Sequence, residues 1–321
     1  MTVLILSSMQ DVHARAVMEA LAARGAHAEL LDSSEFPSRL SITMAFEEGN
    51  RRLAIRRQGG GHLDLSEVNA VWWRRPQPFK LPEALAEPSH RRFALSEAST
   101  AFQGLYRLMD AFWVNDPLRD SAAHHKPWQL ALAQKAGLEI PPTLMTSDPE
   151  EARHFIRQRE GRIIYKQFVA LPDSWRETRE FGAEEAKLIE AVRLTPVIFQ
   201  RYVEAAFDLR VTAIGDRFYA ASADLRKVEY PLDVRLNLDA RYEPHQLPPA
   251  IEARLRTMMQ WLGLEYGAID LRLTPDGRYV FLEINPAGQF LYIEYMTGQK
   301  IAAALAEHLI SAPHRPCAAP G

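Results

Sequence analysis

The sequence predicts an α/β protein: a parallel-sheet region at the start, then α+β lobes. Three observations predict it. The first is the opening, where an aliphatic run at 3–6, an amphipathic stretch at 11–24 stopped by Gly25, and a second run at 28–31 give the β-α-β order of a parallel sheet. The second is a pair of alternating hairpins late in the chain. One pairs 208–214 with 218–223 about Gly215-Asp216, and the other spans 267–288 about Thr274-Pro275-Asp276-Gly277. The third is size and balance: 321 residues, 47% hydrophobic and 25% charged, suffice for two or three globular subdomains.

Composition excludes several functions. A net charge of −3 offers no global attraction to nucleic acid or an anionic membrane. No apolar run reaches the ~18–20 residues that span a bilayer. MTVLILSS reads as a short strand before a polar helix rather than a signal peptide, so a cytoplasmic protein is expected. Cys317 is the single cysteine and sits in a Pro/Ala-rich tail, which excludes a disulfide framework and a cysteine metal site. Only seven of the 38 basic residues are lysines, so a lysine inside a motif is informative.

The elements follow in order. Residues 41–48 and 51–57 form a hairpin about Gly49-Asn50. Gly59-Gly60-Gly61 is a turn and not a phosphate loop, because no helix opens after it. In Val71-Trp72-Trp73-Arg74-Arg75-Pro76, Val71 and Trp73 point one way, Trp72 and Arg74 the other, and Pro76 ends the strand. Arg74 and Arg75 then stand at a strand's C-terminal end, where open α/β sheets place ligands. They are candidates for binding a carboxylate or phosphate, with a surface ion pair or a stack on Trp as the equal alternative. Helices are expected at 89–109 and at 121–136. The latter carries His124, His125 and Lys126; adjacent histidines on a helix diverge by about 100° and do not chelate. Asp148 caps a helix at 148–159 with Pro149 in its first turn. A strand at 163–166 ends on Lys166, and the polar 167–179 loop is long enough for a lid. A helix at 183–192, a strand at 196–202, a helix at 248–262 capped by Gly263, and a closing helix at 297–310 complete the chain. The tail after Ser311 is expected to be loose.

The last hairpin carries the chemistry. Ile269, Leu271 and Leu273 alternate with Asp270 and Arg272, and Leu282 and Ile284 with Glu283 and Asn285. Alternation puts the aliphatic set on the core face and Asp270, Glu283 and Asn285 on the other. A loop over 275–278 would set Asp270 directly across from Glu283. Like charges so placed are unfavourable unless something positive lies between them. Three oxygen donors on paired strands suit Mg²⁺, which completes its octahedron with water and substrate phosphates. The alternative is a hairpin with a solvated acidic face. The exit Glu-Ile-Asn-Pro-Ala-Gly argues against it, since an exposed strand has no need of such a turn.

Three stretches, IIYK ending in Lys166, then PVIFQRYVEAAFDLRV, then GAIDLRL with YVFLEINPAGQF, resemble the ATP-grasp fold. Adding VWWRRP, HHKPWQLALAQKAGLEIPPT and the later Asp233-Val234-Arg235, the chain is more closely similar to microviridin-type (graspetide) maturases of ribosomal peptides. The resemblance implies a pre-ATP-grasp parallel-sheet domain over 1–120, a central lobe with a lid over 121–203, a C-terminal lobe over 204–311, and a loose tail over 312–321. It implies an ADP-forming ligase that activates side-chain carboxylates of a precursor peptide with ATP and closes ester or amide rings. A leader recruits the substrate, whose core is acidic, and a homodimer fits the family. Asp270, Glu283 and Asn285 fall on the Mg²⁺ ligands, with Mn²⁺ as a substitute.

Lys126 and Lys166 fall on the nucleotide cleft as point cations for phosphate. From the residues alone Lys126 would be a solvent-facing helix residue. Gln200, Arg201, Tyr202, Val203 and Glu204 fall on the hinge strand against adenine, with Asp208 beside the ribose. Arg210 is a candidate to stabilise the transferring phosphoryl or a buried partner for Glu204 or Asp208. Arg235, in Asp-Val-Arg where the family has Asp-Trp-Arg, is a catalytic or peptide-binding candidate together with Arg74 and Arg75. No general base is evident. The runner-up is a RimK-like ligase joining a free amino acid to a peptide or small molecule. A nucleotide-binding scaffold without turnover is a third reading, opposed by the complete Asp/Glu/Asn set.

Overall fold

The computed structural model describes residues 1–159, 161–169, 178–228, 230, 232 and 240–311. The chain divides into two units, Met1–Pro117 with Lys300–Gly321, and Leu118–Gln299.

The first unit is built on a parallel sheet. Strand β1 (Thr2–Leu6) leads through helix α1 (Val12–Ala22) to β2 (His27–Leu31). Strands β3 (Leu40–Glu47), β4 (Asn50–Arg57) and β5 (His62–Asp64) make a separate antiparallel sheet. The chain then returns as β6 (Val68–Trp73), α2 (Pro88–Leu108) and β7 (Phe112–Val114). The parallel order is β2-β1-β6-β7. Central β1 has Val3, Leu4, Ile5 and Leu6 fully buried, as an unbroken aliphatic strand covered on both faces should. Phe102, Leu105 and Tyr106 of α2 share a core with Val71, against which Trp73 packs. The first hairpin turns at Glu48-Gly49, one residue earlier than expected. Both take positive φ there, as a two-residue turn of this hand requires.

Arg74 stands in the arrangement expected as the alternative to ligand binding, an ion pair beside a Trp ring, although buried rather than on the surface. Its side chain is fully buried, its Nε donates to Asp11 Oδ2 at 3.0 Å, and its guanidinium lies 5.8 Å from the Trp72 ring. Asp11 caps α1 by accepting from the His13 N–H. Burial opposes the Asp11 charge, but Arg74, Ser7 and that N–H outweigh it and hold the carboxyl below its ordinary range. His13, also buried, is pushed down to about 4 by burial first and by the Arg74 charge second.

The second unit opens with two short helices, α3 (Pro117–Ala123) and α4 (Lys126–Lys135), where one helix over 121–136 was expected. The break falls at His124-His125, because Pro127 requires an extended or first-turn backbone before it. Four antiparallel strands follow as one sheet: β8 (Thr143–Thr146), then α5 (Pro149–Gln158), β9 (Ile163–Lys166), β10 (Arg179–Glu180), α6 (Ala183–Lys187) and β11 (Val197–Arg201). The strand order is β10-β9-β11-β8. Asp148 caps α5 as expected, accepting from Glu150 N–H at 2.8 Å.

A five-stranded sheet comes next, from β12 (Phe207–Ile214), β13 (Arg217–Asp224), β14 (Tyr242–His245), helix α7 (Pro249–Leu262), β15 (Tyr266–Leu273) and β16 (Tyr279–Asn285) in the order β14-β13-β12-β15-β16. Helices α4 and α7 cover one face, burying Leu130, Ala133, Leu255 and Met259 against Leu209, Val211, Ile269 and Phe281. After α8 (Leu291–Thr297) the closing helix is Ile301–Ser311. It packs on α1 and β6, so it belongs to the first unit rather than to the lobe that precedes it in sequence. Among the described residues no helix is long and apolar enough to cross a membrane.

His13 makes stability depend on pH in a definite window. Between pH 6.5 and about 4 the unfolded chain binds a proton that the folded imidazole refuses, so stability falls as the pH is lowered through that range. The loss should total about 3 kcal/mol, at roughly 1.4 kcal/mol per pH unit over a window of about two to two and a half units. Chemical denaturation at a series of pH values should show this slope in the native protein and a flatter one in His13→Gln.

Candidate active site

A cleft of about 480 Å³ in the second unit is lined by strands of both its sheets and by the start of α4. Its floor is the polar face of β12, β15 and β16. The register sets Asp208 opposite Arg272, Arg210 opposite Asp270, and Asp270 opposite Glu283. Charges of opposite sign therefore alternate along β12 and, in the reverse order, along β15. Arg272 Nε donates to Asp208 Oδ1 at 2.8 Å, and Arg210 Nη1 lies 3.1 Å from Asp270 Oδ1. Across the sheet Lys126 Nζ donates to Glu283 Oε2 at 2.6 Å. The positive charge required between the two carboxylates is thus supplied by side chains from two other elements.

The opposition of Asp270 and Glu283 arises by a route other than the expected one. The loop spans Thr274 to Arg278, one residue longer than anticipated, and a bulge between Asp270 and Leu271 restores the pairing. Phe281, not Leu282, takes the core position, and Leu282 turns into the cleft. A bulge re-aims one side chain without disturbing the rest of the ladder, and periodicity alone gives no sign of it.

Arg210 is held tightly. Its Nε donates to Tyr292 Oη at 2.8 Å. Burial opposes its charge, yet Asp270 and then Tyr292 more than compensate, so it stays protonated well above its ordinary range. Its carboxylate partner is Asp270, whereas the alternative to a phosphoryl role names Glu204 or Asp208. Arg272 was missed as a site residue, although alternation had put it on the same face as Asp270. It is buried, and besides Asp208 its Nη1 donates to the Val203 carbonyl at 2.9 Å. Burial works against it too, and Asp208 and Tyr202 keep it charged. Its guanidinium lies 4.8 Å from the Tyr202 ring, which also carries Arg162 at 4.5 Å. The segment after β11 is therefore tied to β15 through one arginine.

The other nominated residues fall as follows. Lys126, Lys166, Gln200, Arg201, Val203, Asp208, Arg210, Asp270, Glu283 and Asn285 all line this cleft. Gln200 is buried, its Nε2 donating to Thr143 Oγ1 at 2.8 Å. Tyr202 is buried behind the cleft wall, and Glu204 is exposed 3.8 Å from Arg162. Lys126 is not a solvent-facing residue of a continuous helix, since the break before α4 turns it onto Glu283. Arg75 is exposed just after β6 in the first unit. Arg235, with Asp233 and Val234, lies outside the described residues, as does most of the expected lid.

Two further residues shape the metal-candidate strand. Gln129 of α4 is buried; its Oε1 accepts from Ile284 N–H at 3.0 Å and its Nε2 donates to the Ile284 carbonyl at 2.9 Å. It grips the backbone between Glu283 and Asn285 as a neighbouring strand would. At the exit, Asn285 Oδ1 accepts from Ala287 N–H at 2.9 Å. Gly288 is required there, because a Cβ would sit 2.2 Å from that of Ala268. Close approach to β15 thus explains the Asn-Pro-Ala-Gly turn.

The donor set fits a hard divalent cation: two carboxylates on paired strands and a carboxamide two residues along. Among the described residues no cluster of three or more His, Cys, Asp or Glu could hold a metal. Mg²⁺ ordinarily completes such a three-oxygen set with water and phosphate. Replacing Gln129 by Leu should leave the Ile284 amide and carbonyl unpaired, costing about 1–3 kcal/mol per unsatisfied group. Urea denaturation should show the midpoint fall.

Residues 2–121 match the family model of the MvdD pre-ATP grasp domain. The macrocyclase MdnC of Microcystis aeruginosa MRC, solved with its precursor peptide MdnA, is 31% identical. The alignment covers 97% of this chain and 100% of that one, with a TM-score of 0.86. A RiPP-associated ATP-grasp ligase of Chryseobacterium gregarium, solved with ADP and leader and core peptides, is 25% identical over 98% of each chain, with a TM-score of 0.90. The ATP-grasp ligase PsnB, solved with a minimal precursor, Mg and ADP, is 26% identical over 96% of each chain, with a TM-score of 0.80. A probable alpha-L-glutamate ligase of Chromohalobacter salexigens is 24% identical over 70% of this chain and 76% of its own. With a parallel-sheet N-terminal unit, two antiparallel sheets around one charged cleft and an end-to-end match to macrocyclase MdnC, the chain belongs to the graspetide-type ATP-grasp ligases.

Proposed function

We propose that this protein is an ADP-forming ligase that activates side-chain carboxylates of a ribosomal precursor peptide and closes intramolecular ester or amide rings. The observation that carries the reading is the crossed pairing of Arg210 with Asp270 and Lys126 with Glu283 in one cleft. A structural hairpin has no use for two opposed carboxylates each held by a cation from elsewhere. Partly buried ion pairs of this kind contribute little net stability, so a role in binding is the better account of them.

In this reading the two sheets of the second unit are the lobes that clasp ATP. Residues 200–204 meet the adenine through backbone groups, with Asp208 near the ribose. Lys126 and Lys166 take the phosphates. Asp270, Glu283 and Asn285 hold Mg²⁺, or Mn²⁺ in its place. When bound, the ion neutralises phosphate charge and orients the γ group. Arg210, fixed by Asp270 and Tyr292, needs no reorganisation to meet the charge on the transferring phosphoryl.

The peptide carboxylate oxygen attacks the γ-phosphorus and ADP leaves, giving an acyl phosphate. A hydroxyl or amine then attacks the acyl carbon and phosphate leaves. Exclusion of water from the cleft protects the acyl phosphate. The partner is a precursor peptide with a leader and an acidic core, for which Arg75 and Arg235 are binding candidates. The protein acts in the cytoplasm, as a homodimer.

Two experiments test this. Asp270→Asn and Glu283→Gln should each lower peptide-dependent ADP formation by about 100-fold or more, with the circular dichroism spectrum unchanged; normal turnover in both would remove the metal assignment. The native enzyme with ATP and the precursor peptide encoded beside its gene should give product lighter by one water per ring in mass spectrometry. An unchanged mass, with phosphate release stimulated by free glutamate alone, would point to a RimK-like amino-acid ligase instead.

A further inference from the structure

A hydroxyl nucleophile needs a base, and the residues assigned so far supply none: Lys126 and Arg210 are cations, and Asp270 and Glu283 are engaged by them. One group in the cleft wall has the right character. His124 follows α3, half-exposed and lining the same cleft as Lys126, Lys166 and Glu283. Its Nε2 lies 3.3 Å from Asp120 Oδ1 one helical turn earlier. Asp120 is 6% exposed, and its second oxygen, Oδ2, is buried with no hydrogen-bond partner among the described residues.

A buried carboxylate with so little other satisfaction is costly. With its Oδ1 3.3 Å from the ring, it favours the tautomer that carries the proton on Nε2 and leaves Nδ1 to accept. The next residue differs: His125 Nδ1 is engaged with the Ala122 carbonyl at 3.0 Å. The break between α3 and α4 that turns Lys126 onto Glu283 also puts His124 at the cleft.

We infer that His124 is the general base of ester formation and that Asp120 is its positioning residue. This rests on the ligase reading above. In the second step His124 Nδ1 takes the proton of a Ser or Thr hydroxyl as that oxygen bonds to the acyl carbon. The bond from the acyl carbon to the phosphate oxygen breaks, and the departing phosphate carries away the electron pair and then the proton from His124. The first step, carboxylate attack on ATP, transfers no proton and does not involve His124.

Separation of the two steps gives the test. The probe is a precursor peptide with a leader and a Thr-containing acidic core, with ATP and Mg²⁺, in the presence and absence of hydroxylamine. Hydroxylamine is unprotonated at neutral pH and traps the acyl phosphate as a hydroxamate without a base. His124→Ala should form hydroxamate at the native rate but close ester rings about 100-fold more slowly. Added imidazole should restore ring closure in that variant. Asp120→Asn should slow ring closure in the same direction while sparing hydroxamate formation. Native ring closure in His124→Ala would overturn the assignment, as would loss of hydroxamate in parallel with loss of rings. If the native enzyme itself forms neither ADP nor hydroxamate with the peptide, the ligase reading fails instead.

Discussion

Two carboxylates facing each other on adjacent strands repel, and in a half-buried cleft that repulsion is little screened. Asp270 and Glu283 stand in this relation, and much of the second unit is arranged around it. Arg210 reaches Asp270 from β12, Lys126 reaches Glu283 from the start of α4, and Gln129 secures the strand backbone beside them. The two cations come from different elements, β12 and α4, and Gln129 shares α4 with Lys126. The cost of the arrangement therefore ties β12, β15, β16 and α4 to one geometry. It also holds both carboxylates on the cleft wall, where a stronger cation would compete with Arg210 and Lys126.

The arginines divide the labour. Arg272 is buried and spends its donors on Asp208 and the Val203 carbonyl, so it fixes the wall of the cleft. Arg210 is equally well held but opens onto the cleft through Asp270 and Tyr292. The two differ in what surrounds them, since both sit on strands with the same alternation. Arg74 is a third case: its place after a parallel strand resembles a ligand position, but a partly buried Asp11 pairs with it.

Most of this was legible in the residues. The β-α-β opening, the two late hairpins and the alternation that puts Asp270, Glu283 and Asn285 on one face follow from period and turn chemistry. What was not legible depends on contacts distant in sequence. Leu282 entered the cleft because a bulge compensated a longer loop, and neither leaves a mark in the pattern of apolar residues. Lys126 looked like a surface residue because the helix break before Pro127 was missed. Gln129 and Arg272 had ordinary local settings, and only tertiary pairing shows what they hold. The closing helix joined the first unit because its apolar face matches α1, a match that sequence order does not reveal.

On the proposed function, the two opposed carboxylates and the Asn285 carboxamide receive a divalent ion delivered with nucleotide. The most direct measurement is anomalous diffraction from crystals grown with Mn²⁺ and ADP. A peak bounded by Asp270, Glu283 and Asn285 is expected, with Lys126 Nζ drawn off Glu283 toward phosphate. A peak elsewhere in the cleft, with the Lys126–Glu283 and Arg210–Asp270 pairs intact around bound ADP, would contradict it.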